Sequence, residues 1–274
     1  MRASLSATGW CGLFIVVGFC AARVRAAEPD LRSRLEKRVF RNAEGETLSY
    51  RLFVPKDYDA KKKYPLILFL HGAGERGDDN ERQLVHAQVL RFVSDEAAKK
   101  QPCFLVAPQC PKDGWWADLP GRRAKKPEAA KKPEAAKKSS SPMKLTLALL
   151  DSLDKEYSID PDRRYVTGLS MGGFGSFGLC LARPDYFAAA VPICGGTDAS
   201  KAKEMAKVAF WVFHGGADPV VKPELSRDAV KALKEAGATV KYTEYPGVGH
   251  DSWSKAYNEP ELVDWLFAQK RQAK

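Results

Sequence analysis

The sequence predicts an α/β fold, with a mostly parallel central sheet and helices on both faces. Short apolar runs such as Leu-Ile-Leu-Phe-Leu at residues 66–70 are continuous rather than alternating, which is typical of strands covered on both sides. Longer stretches between these runs carry apolar residues at helical spacing, for example Leu149, Leu150, Leu153 and Tyr157. Alternation of the two kinds of segment indicates an α/β domain whose sites lie in the loops after the strands.

Strands are predicted where β-branched and aromatic residues cluster between turn-forming residues. Two further helices are predicted, one over residues 173–179 and one that places Leu225, Ala229 and Leu233 on a single face. The predicted strands cover residues 48–54, 66–70, 103–107, 164–167, 188–194, 209–213 and 240–245.

The composition is that of a globular protein, since 45% of the 274 residues are hydrophobic and 28% are charged. A chain of this length buries a sizeable core, which excludes a disordered, collagenous or disulfide-framework protein. The net charge of +10 is concentrated in two segments: +3 from the arginines of residues 1–26, and +6 from residues 121–141. The rest of the chain is nearly neutral, so we expect no nucleic-acid partner.

Residues 1–26 are predicted to be a signal peptide. Arg2 precedes an apolar run at residues 12–19, and small residues that fit a signal-peptidase site follow. The run is shorter than the roughly 20 apolar residues that a membrane anchor needs, and no later segment reaches that length. We therefore expect export to the periplasm or the cell exterior, with a retained anchor as the alternative. The folded domain is predicted over residues 27–274.

A flexible insert is predicted in this domain at about residues 121–142. From Lys125 to Lys138 it repeats Lys-Lys-Pro-Glu-Ala-Ala, a period that fits neither a helix nor a strand, and prolines interrupt each unit. One hypothesis is that its charge gathers anionic substrates or makes weak contact with anionic polymers. The alternative is a tolerated surface loop.

Four of the six cysteines follow the predicted signal peptide: Cys103, Cys110, Cys180 and Cys194. An exported protein can form disulfides but a domain of this size does not need them, so buried thiols and one bridge both stay open. No Cys/His spacing resembles a zinc site, and no metal is predicted.

The central motif is Gly-Leu-Ser-Met-Gly at residues 168–172, which fits the pattern G-x-S-x-G. A predicted strand precedes it and a predicted helix follows it. In a strand-to-helix turn of this kind the serine hydroxyl projects from a strained backbone, and flanking glycines leave room around it. Ser170 is therefore the candidate nucleophile; the alternative is a glycine-rich packing turn.

A serine hydroxyl needs a base to take its proton, and the base needs an acid to orient it. Where a G-x-S-x-G serine is the nucleophile, the acid and then the histidine follow it along the chain. Of the four histidines, only His214 and His250 follow Ser170. His250 lies in a glycine-rich loop after a predicted strand, and Asp218 lies just beyond the strand before it, so we choose His250 as base and Asp218 as acid. Asp251 is interpreted as a solvated neighbour of the base.

With His214 as base, the acid would have to be Asp185 or Asp198, neither of which directly follows a predicted strand. His214 is therefore interpreted as a hydrogen-bonding neighbour of the site.

Acyl transfer also requires N–H groups aimed at the developing oxyanion. One donor is the backbone N–H of Met171, directly after the nucleophile. The other is predicted in His-Gly-Ala-Gly at residues 71–74, with Ala73 first and Gly74 next. His71 is expected to support this loop rather than to react.

These motifs together resemble the α/β-hydrolase superfamily, and more narrowly the secreted esterases grouped with phospholipase/carboxylesterases, dienelactone hydrolases and prolyl-oligopeptidase-like domains. The resemblance implies the hydrolase sheet, with Ser170, Asp218 and His250 as the triad. It is carried by YRLFVPKDY, LFLHGAGERG, VAPQCP, YVTGLSMGGFG, FAAAVPICGG, FWVFHGGADPVV and YPGVGHDSW.

The predicted function is hydrolysis of carboxylic esters through an acyl-enzyme, without a cofactor because the triad supplies nucleophile and proton transfers. Trp115, Trp116 and Trp253 are candidates for an aromatic wall of the substrate pocket, or they pack beneath loops. Alternatives are a prolyl-oligopeptidase-like serine peptidase, a feruloyl or acetyl esterase acting on polysaccharide, and a non-catalytic binding protein. About 250 residues leave no room for a large gating domain, which favours esters over peptides.

Overall fold

The computed structural model describes residues 30–117 and 141–271. The predicted signal peptide and most of the predicted insert lie outside the described residues. Ser141 and Pro142 lie inside them, and here the predicted boundary is wrong: the Ser141 hydroxyl accepts a hydrogen bond from the N–H of Lys144, and Pro142 is the first residue of a helix. Serine at the cap and proline in the first turn are what a helix start favours, so these two positions belong to the helix.

Eight strands form one sheet in the order β1-β2-β4-β3-β5-β6-β7-β8. The pairs β1/β2 and β2/β4 are antiparallel, and all other neighbours are parallel. This confirms the predicted fold class. The strands are β1 (Glu36–Arg41), β2 (Thr47–Phe53), β3 (Tyr64–Leu70), β4 (Phe104–Pro108), β5 (Ile159–Leu169), β6 (Ala189–Ile193), β7 (Ala209–Gly215) and β8 (Val240–Tyr245).

Helices cover both faces of the sheet, and each face has its own hydrophobic cluster. Leu66, Leu68 and Leu70 of β3 pack into one cluster, while Ile67 and Phe69 pack into the other, because successive side chains of a strand point to opposite sides. The first cluster includes residues of α2, α3 and α4, and the second includes residues of α5 and α6. The helices are α1 (Asp95–Lys100), α2 (Pro142–Glu156), α3 (Met171–Ala182), α4 (Pro223–Glu235), α5 (Trp253–Ala256) and α6 (Leu262–Ala268).

All seven predicted strands are present, and the predicted helices fall within α2, α3 and α4. Sequence reasoning missed β1, a solvent-exposed edge strand that pairs only with β2. It also missed the first half of β5, which begins at Ile159 rather than near residue 164. Charged side chains and Pro161 interrupt the apolar pattern there, so the usual signal of a buried strand is absent.

Close packing around α3 explains the glycines that follow the nucleophile motif. A Cβ on Gly175 would lie 2.5 Å from the Cβ of Trp116, and one on Gly178 would lie 2.7 Å from the methyl group of Met143. The glycines therefore let α2 and the loop after β4 approach α3 closely.

Cys103, Cys110, Cys180 and Cys194 are buried free thiols, which settles the open alternative against a bridge among them. In the described part of the chain, no helix is both long and apolar enough to cross a membrane.

Candidate active site

Ser170 occupies a strained turn between β5 and α3. Its backbone has φ 52° and ψ −114°, a left-handed conformation that a non-glycine residue rarely adopts. The flanking glycines are required by contact: a Cβ on Gly168 would lie 2.4 Å from the carbonyl oxygen of Gly172, and one on Gly172 would lie 1.9 Å from that of Leu70. The turn therefore presents the hydroxyl at the carboxyl edge of the sheet with no side chain crowding it.

Ser170, His250 and Asp218 are brought together in a hydrogen-bonded series. His250 Nε2 lies 2.9 Å from Ser170 Oγ, and His250 Nδ1 lies 2.7 Å from Asp218 Oδ2. The loop after β8 carries His250, whose side chain is partly exposed, and the loop after β7 carries Asp218, whose side chain is fully buried. With Nδ1–H donating to the carboxylate, Nε2 is free to accept the serine proton.

The carboxylate of Asp218 is held in place from both sides. Its Oδ1 accepts hydrogen bonds from the backbone N–H groups of Val220 and Val221 at 2.8 and 2.9 Å. Burial alone would raise the pKa of Asp218, but the hydrogen bonds from His250 and from these two N–H groups outweigh it, so the pKa lies below its ordinary value. Asp218 is thus ionised at neutral pH.

His214 lies behind the acid and does not reach the serine. It is fully buried; Nε2 lies 3.0 Å from the carbonyl oxygen of Val221 and 3.3 Å from Asp218 Oδ2, and Nδ1 lies 2.7 Å from Ser226 Oγ. Burial lowers the pKa of His214. A carbonyl oxygen can only accept, so Nε2 donates to Val221, while Nδ1 faces the Ser226 hydroxyl, which itself lies 2.9 Å from the carbonyl oxygen of Gly195. This is the neighbouring role that the sequence predicts for it.

The other acids considered as partners are engaged elsewhere. Asp185 forms an ion pair with Lys207, and Asp198 accepts from the backbone N–H and the hydroxyl of Ser200. Asp251 is exposed beside the base.

The loop after β3 is organised by His71, which is fully buried. Its Nε2 accepts a hydrogen bond from the N–H of Cys110 at 2.9 Å, so the proton is on Nδ1, which donates to the carbonyl oxygen of Gly72 at 2.6 Å. Burial lowers the pKa of His71 to about 4, which keeps the ring in this neutral form. In a trans peptide the N–H points opposite to the carbonyl, so His71 also fixes the direction of the Ala73 N–H.

Two arginines that sequence reasoning missed hold the next two peptides of this loop. Arg76 Nε donates to the carbonyl oxygen of Ala73 at 2.9 Å, and an Arg82 side-chain N–H donates to that of Gly74 at 3.0 Å. For Arg76 the available signal was its place in Gly-Glu-Arg-Gly at residues 74–77, because arginine is the side chain best able to bind several carbonyl groups; Arg82 has no such signal. Met171, as the first residue of α3, adds an N–H at a helix N-terminus, where negative charge is favoured.

The three candidate tryptophans have different surroundings. Trp116 is buried and its indole N–H donates to the carbonyl oxygen of His71 at 3.0 Å, so it supports residues 71–74, the predicted oxyanion loop. Trp115 is partly buried and lies 4.9 Å from the Arg76 guanidinium. Trp253 is nearly buried and packs edge-on against His250, with ring centroids 5.4 Å apart.

A cavity of about 410 Å³ lies alongside α3, and Trp115 and Trp116 form part of its wall. Phe174, one turn beyond the nucleophile, lines it, and so does Leu181 near the end of the helix. Thr197, Asp198 and Lys201, after β6, supply polar groups to the lining. The cavity thus combines aromatic and aliphatic side chains with several polar ones, as sites for small organic molecules can.

Cys194, Asp218 and His250 each bring a possible metal-ligand atom within 4.8 Å of the other two. Asp218 and His250 are hydrogen bonded to each other, and the Cys194 thiol lies 3.6 Å from the carbonyl oxygen of His250, to which it donates. Burial raises the pKa of this thiol to about 12, so it is not a thiolate at neutral pH. Cys194 and Asp218 are better explained as residues that support His250 than as metal ligands.

A serine in a strained strand-to-helix turn, a histidine and a buried carboxylate on a mostly parallel sheet define a serine hydrolase with the α/β-hydrolase fold. A family model described as "Putative esterase" matches residues 42–273. The chain belongs to this esterase family and is a carboxylic ester hydrolase.

Several known proteins with similar sequences or structures are esterases. A probable feruloyl esterase C of Aspergillus oryzae is 27% identical over 205 residues, which cover 74% of this chain and 67% of the fungal protein. A probable carboxylesterase SOBER1-like of Arabidopsis thaliana is 29% identical over 215 residues, which cover 76% of this chain and 79% of the plant protein. A thermostable esterase of known crystal structure is 40% identical in sequence, and the two structures superpose with a TM-score of 0.79. The match covers 88% of this chain but only 64% of the thermostable esterase.

Proposed function

We propose that Ser170 is the nucleophile of a two-step ester hydrolysis. His250 Nε2 takes the hydroxyl proton as Oγ attacks the ester carbonyl carbon, and the N–H groups of Met171 and Ala73 stabilise the resulting oxyanion. Protonated His250 gives its proton to the alcohol oxygen, the ester bond breaks, and the acyl group stays on Ser170. The observation that carries this proposal is the hydrogen-bonded series of 2.9 and 2.7 Å that joins Ser170 to Asp218.

In the second step a water molecule replaces the alcohol. His250 takes a proton from the water, whose oxygen attacks the acyl carbon, and the returned proton restores the Ser170 hydroxyl as the acid leaves. Asp218 stays ionised throughout and stabilises the imidazolium that forms twice in each cycle.

We propose further that the enzyme accepts esters with an aromatic or similarly bulky apolar group. The cavity beside α3 supports this, because it starts one turn from Ser170 and its wall includes Trp115, Phe174 and Leu181. Its volume of about 410 Å³ is in the range of sites for small organic molecules. The similarity to feruloyl esterases, which act on an aromatic acyl group, points the same way.

A fluorophosphonate probe and a panel of substrates test both proposals. Wild-type protein is expected to be labelled, and Ser170→Ala is expected to be neither labelled nor active. The panel contains p-nitrophenyl esters of graded acyl length, feruloyl and acetyl esters, and peptide anilides. Cleavage of anilides but not of esters would refute ester hydrolysis. A strict preference for acetyl over feruloyl esters would refute only the proposal of a bulky group.

We also propose that the protein is exported, on the strength of the basic start and short apolar run of residues 1–26. Fractionation of cells that express the full chain tests this. N-terminal sequencing of the exported form is expected to show cleavage after Ala22 or Ala26; full-length protein retained in the cytoplasm would refute export.

A further inference from the structure

Glu75 links the oxyanion loop to a histidine that the reaction does not use. It is the last residue of the turn Ala73–Glu75, and its side chain is only 13% exposed. Its Oε1 lies 3.5 Å from His86 Nε2, and its Oε2 is buried against Gly72, where a Cβ would meet it at 2.8 Å. Within the described residues Oε2 has no hydrogen-bond partner. The carboxylate is thus folded back beneath the peptide that precedes Ala73.

This carboxylate is ionised although it is largely buried. Burial raises the pKa of Glu75, but the interaction with His86, aided by those with His71 and the Gly72 backbone, outweighs burial, so the pKa lies below its ordinary value. An enclosed carboxylate whose main partner is a single histidine depends on that partner for its position.

His86 also contacts the side chain that packs on the catalytic base. Its ring lies 5.0 Å from the ring of Trp253, at an interplanar angle of 59°. Trp253 in turn lies 5.4 Å from the ring of His250, at 87°, an edge-to-face arrangement. Three side chains from separate parts of the chain therefore form a continuous path from the oxyanion loop to the base.

We propose that His86 is a positioning residue that clamps the oxyanion loop and the catalytic histidine in a fixed relation. The contact with Glu75 holds the loop that carries the Ala73 N–H, and the contact with Trp253 holds the ring of His250. His86 itself touches neither Ser170 nor the ester in this role. The inference rests on the proposed function, since it assigns the geometry of the same oxyanion donor and the same base.

Such a clamp matters more for rate than for stability. The His86 side chain is 29% exposed, so its removal leaves no large cavity in the core. A displacement of about 1 Å between catalytic groups, in contrast, lowers turnover by up to about 100-fold. Loss of rate without loss of substrate binding is the signature that separates positioning from packing.

The test uses His86→Ala, Glu75→Gln and the double variant in the full chain, with Val85→Ala as the control because Val85 is adjacent and exposed. We expect His86→Ala to lower kcat about 10- to 100-fold with KM within about twofold, and the melting temperature to change by less than about 3 °C. The double variant should be no slower than the slower single variant, because both substitutions break the same contact between Glu75 and His86. His86→Gln keeps an N–H donor on a planar amide group, so it should recover at least about a third of the kcat that His86→Ala loses.

A kcat reduced less than tenfold in His86→Ala, a rise in KM at unchanged kcat, or fully additive losses in the double variant would each overturn the clamp. Should His86→Ala unfold, Glu75→Gln decides by the same criteria for kcat and KM. The rate at which a fluorophosphonate modifies Ser170 is measured in all variants, because it requires no ester. Wild-type protein that reacts with the probe but cleaves no ester would refute the proposed function, while slower modification of His86→Ala would still support the clamp.

Discussion

Replacing Asp218 by asparagine changes one atom of the triad, and the structure determines which way the new amide faces. The Oδ1 position accepts two backbone N–H groups, from Val220 and Val221, so only the carbonyl oxygen of the amide suits it. The amide NH₂ then occupies the Oδ2 position, 2.7 Å from His250 Nδ1. Turning the amide over would sacrifice two hydrogen bonds of about 1 kcal/mol each and would oppose N–H to N–H.

An NH₂ group facing Nδ1 forces the His250 proton onto Nε2, the atom that must accept the proton of Ser170. We therefore expect Asp218→Asn to lower kcat by about 10³- to 10⁴-fold, as loss of the correct tautomer does in serine proteases. The measurement is steady-state hydrolysis of p-nitrophenyl acetate at neutral pH, with thermal unfolding to verify the fold.

Asp251→Asn is the matched control for this change, since Asp251 is the exposed acid beside the base. Its activity should stay within about threefold of wild type, because a solvent-screened charge contributes little. If folded Asp218→Asn retained more than a tenth of wild-type kcat, the assignment of Asp218 as the orienting acid would be refuted.

Three further outcomes are expected. Gly172→Ala should abolish soluble expression or lower the free energy of unfolding by more than about 3 kcal/mol, since its Cβ would lie 1.9 Å from a backbone oxygen. Gly74→Ala, whose Cβ would have nothing within 4 Å, should fold normally. Equal stability of the two variants in denaturant would contradict this. Glu244, whose pKa the Arg227 guanidinium helps to lower to about 2, contributes stability above its ordinary pKa of 4.5 that is lost as the pH falls towards 2. Glu244→Gln should therefore reduce unfolding free energy by up to about 1 kcal/mol at pH 7 and by less at pH 3; an equal effect at both would count against the ion pair. The four buried cysteines should react with Ellman's reagent much more slowly in the native protein than in denaturant, and rapid native labelling would show that the core opens.

Apolar continuity made most of the sheet predictable. The run at residues 66–70 and its parallel neighbours are buried on both faces, so their sequences carry little besides strand-forming residues. Edge strand β1 has solvent on its outer side, and four of its six residues are charged. A pattern this short and polar does not distinguish a strand from a loop.

The catalytic residues that directly follow strands were predictable, and the side-chain contacts between different loops were not. Ser170, Asp218 and His250 each follow a recognisable strand, and parallel strands end at one edge of the sheet. The contacts of Glu75 with His86 and of His86 with Trp253 join residues without a shared motif. Trp116 likewise gives no sign in the sequence that its indole N–H binds the carbonyl of His71. Such contacts depend on how loops fold over one another, which hydrophobic periodicity does not encode.

The order in which the catalytic groups occur along the chain has a consequence for folding. Ser170 lies 80 residues before its base, and the acid lies 32 residues before the same histidine. The base follows β8, the last strand to be synthesised and an edge of the sheet. A chain that has assembled its central strands but has not yet docked β8 has a nucleophile without a base. In refolding experiments, esterase activity should therefore return no earlier than the docking of this last strand, so that turnover serves as a clock for completion of the fold.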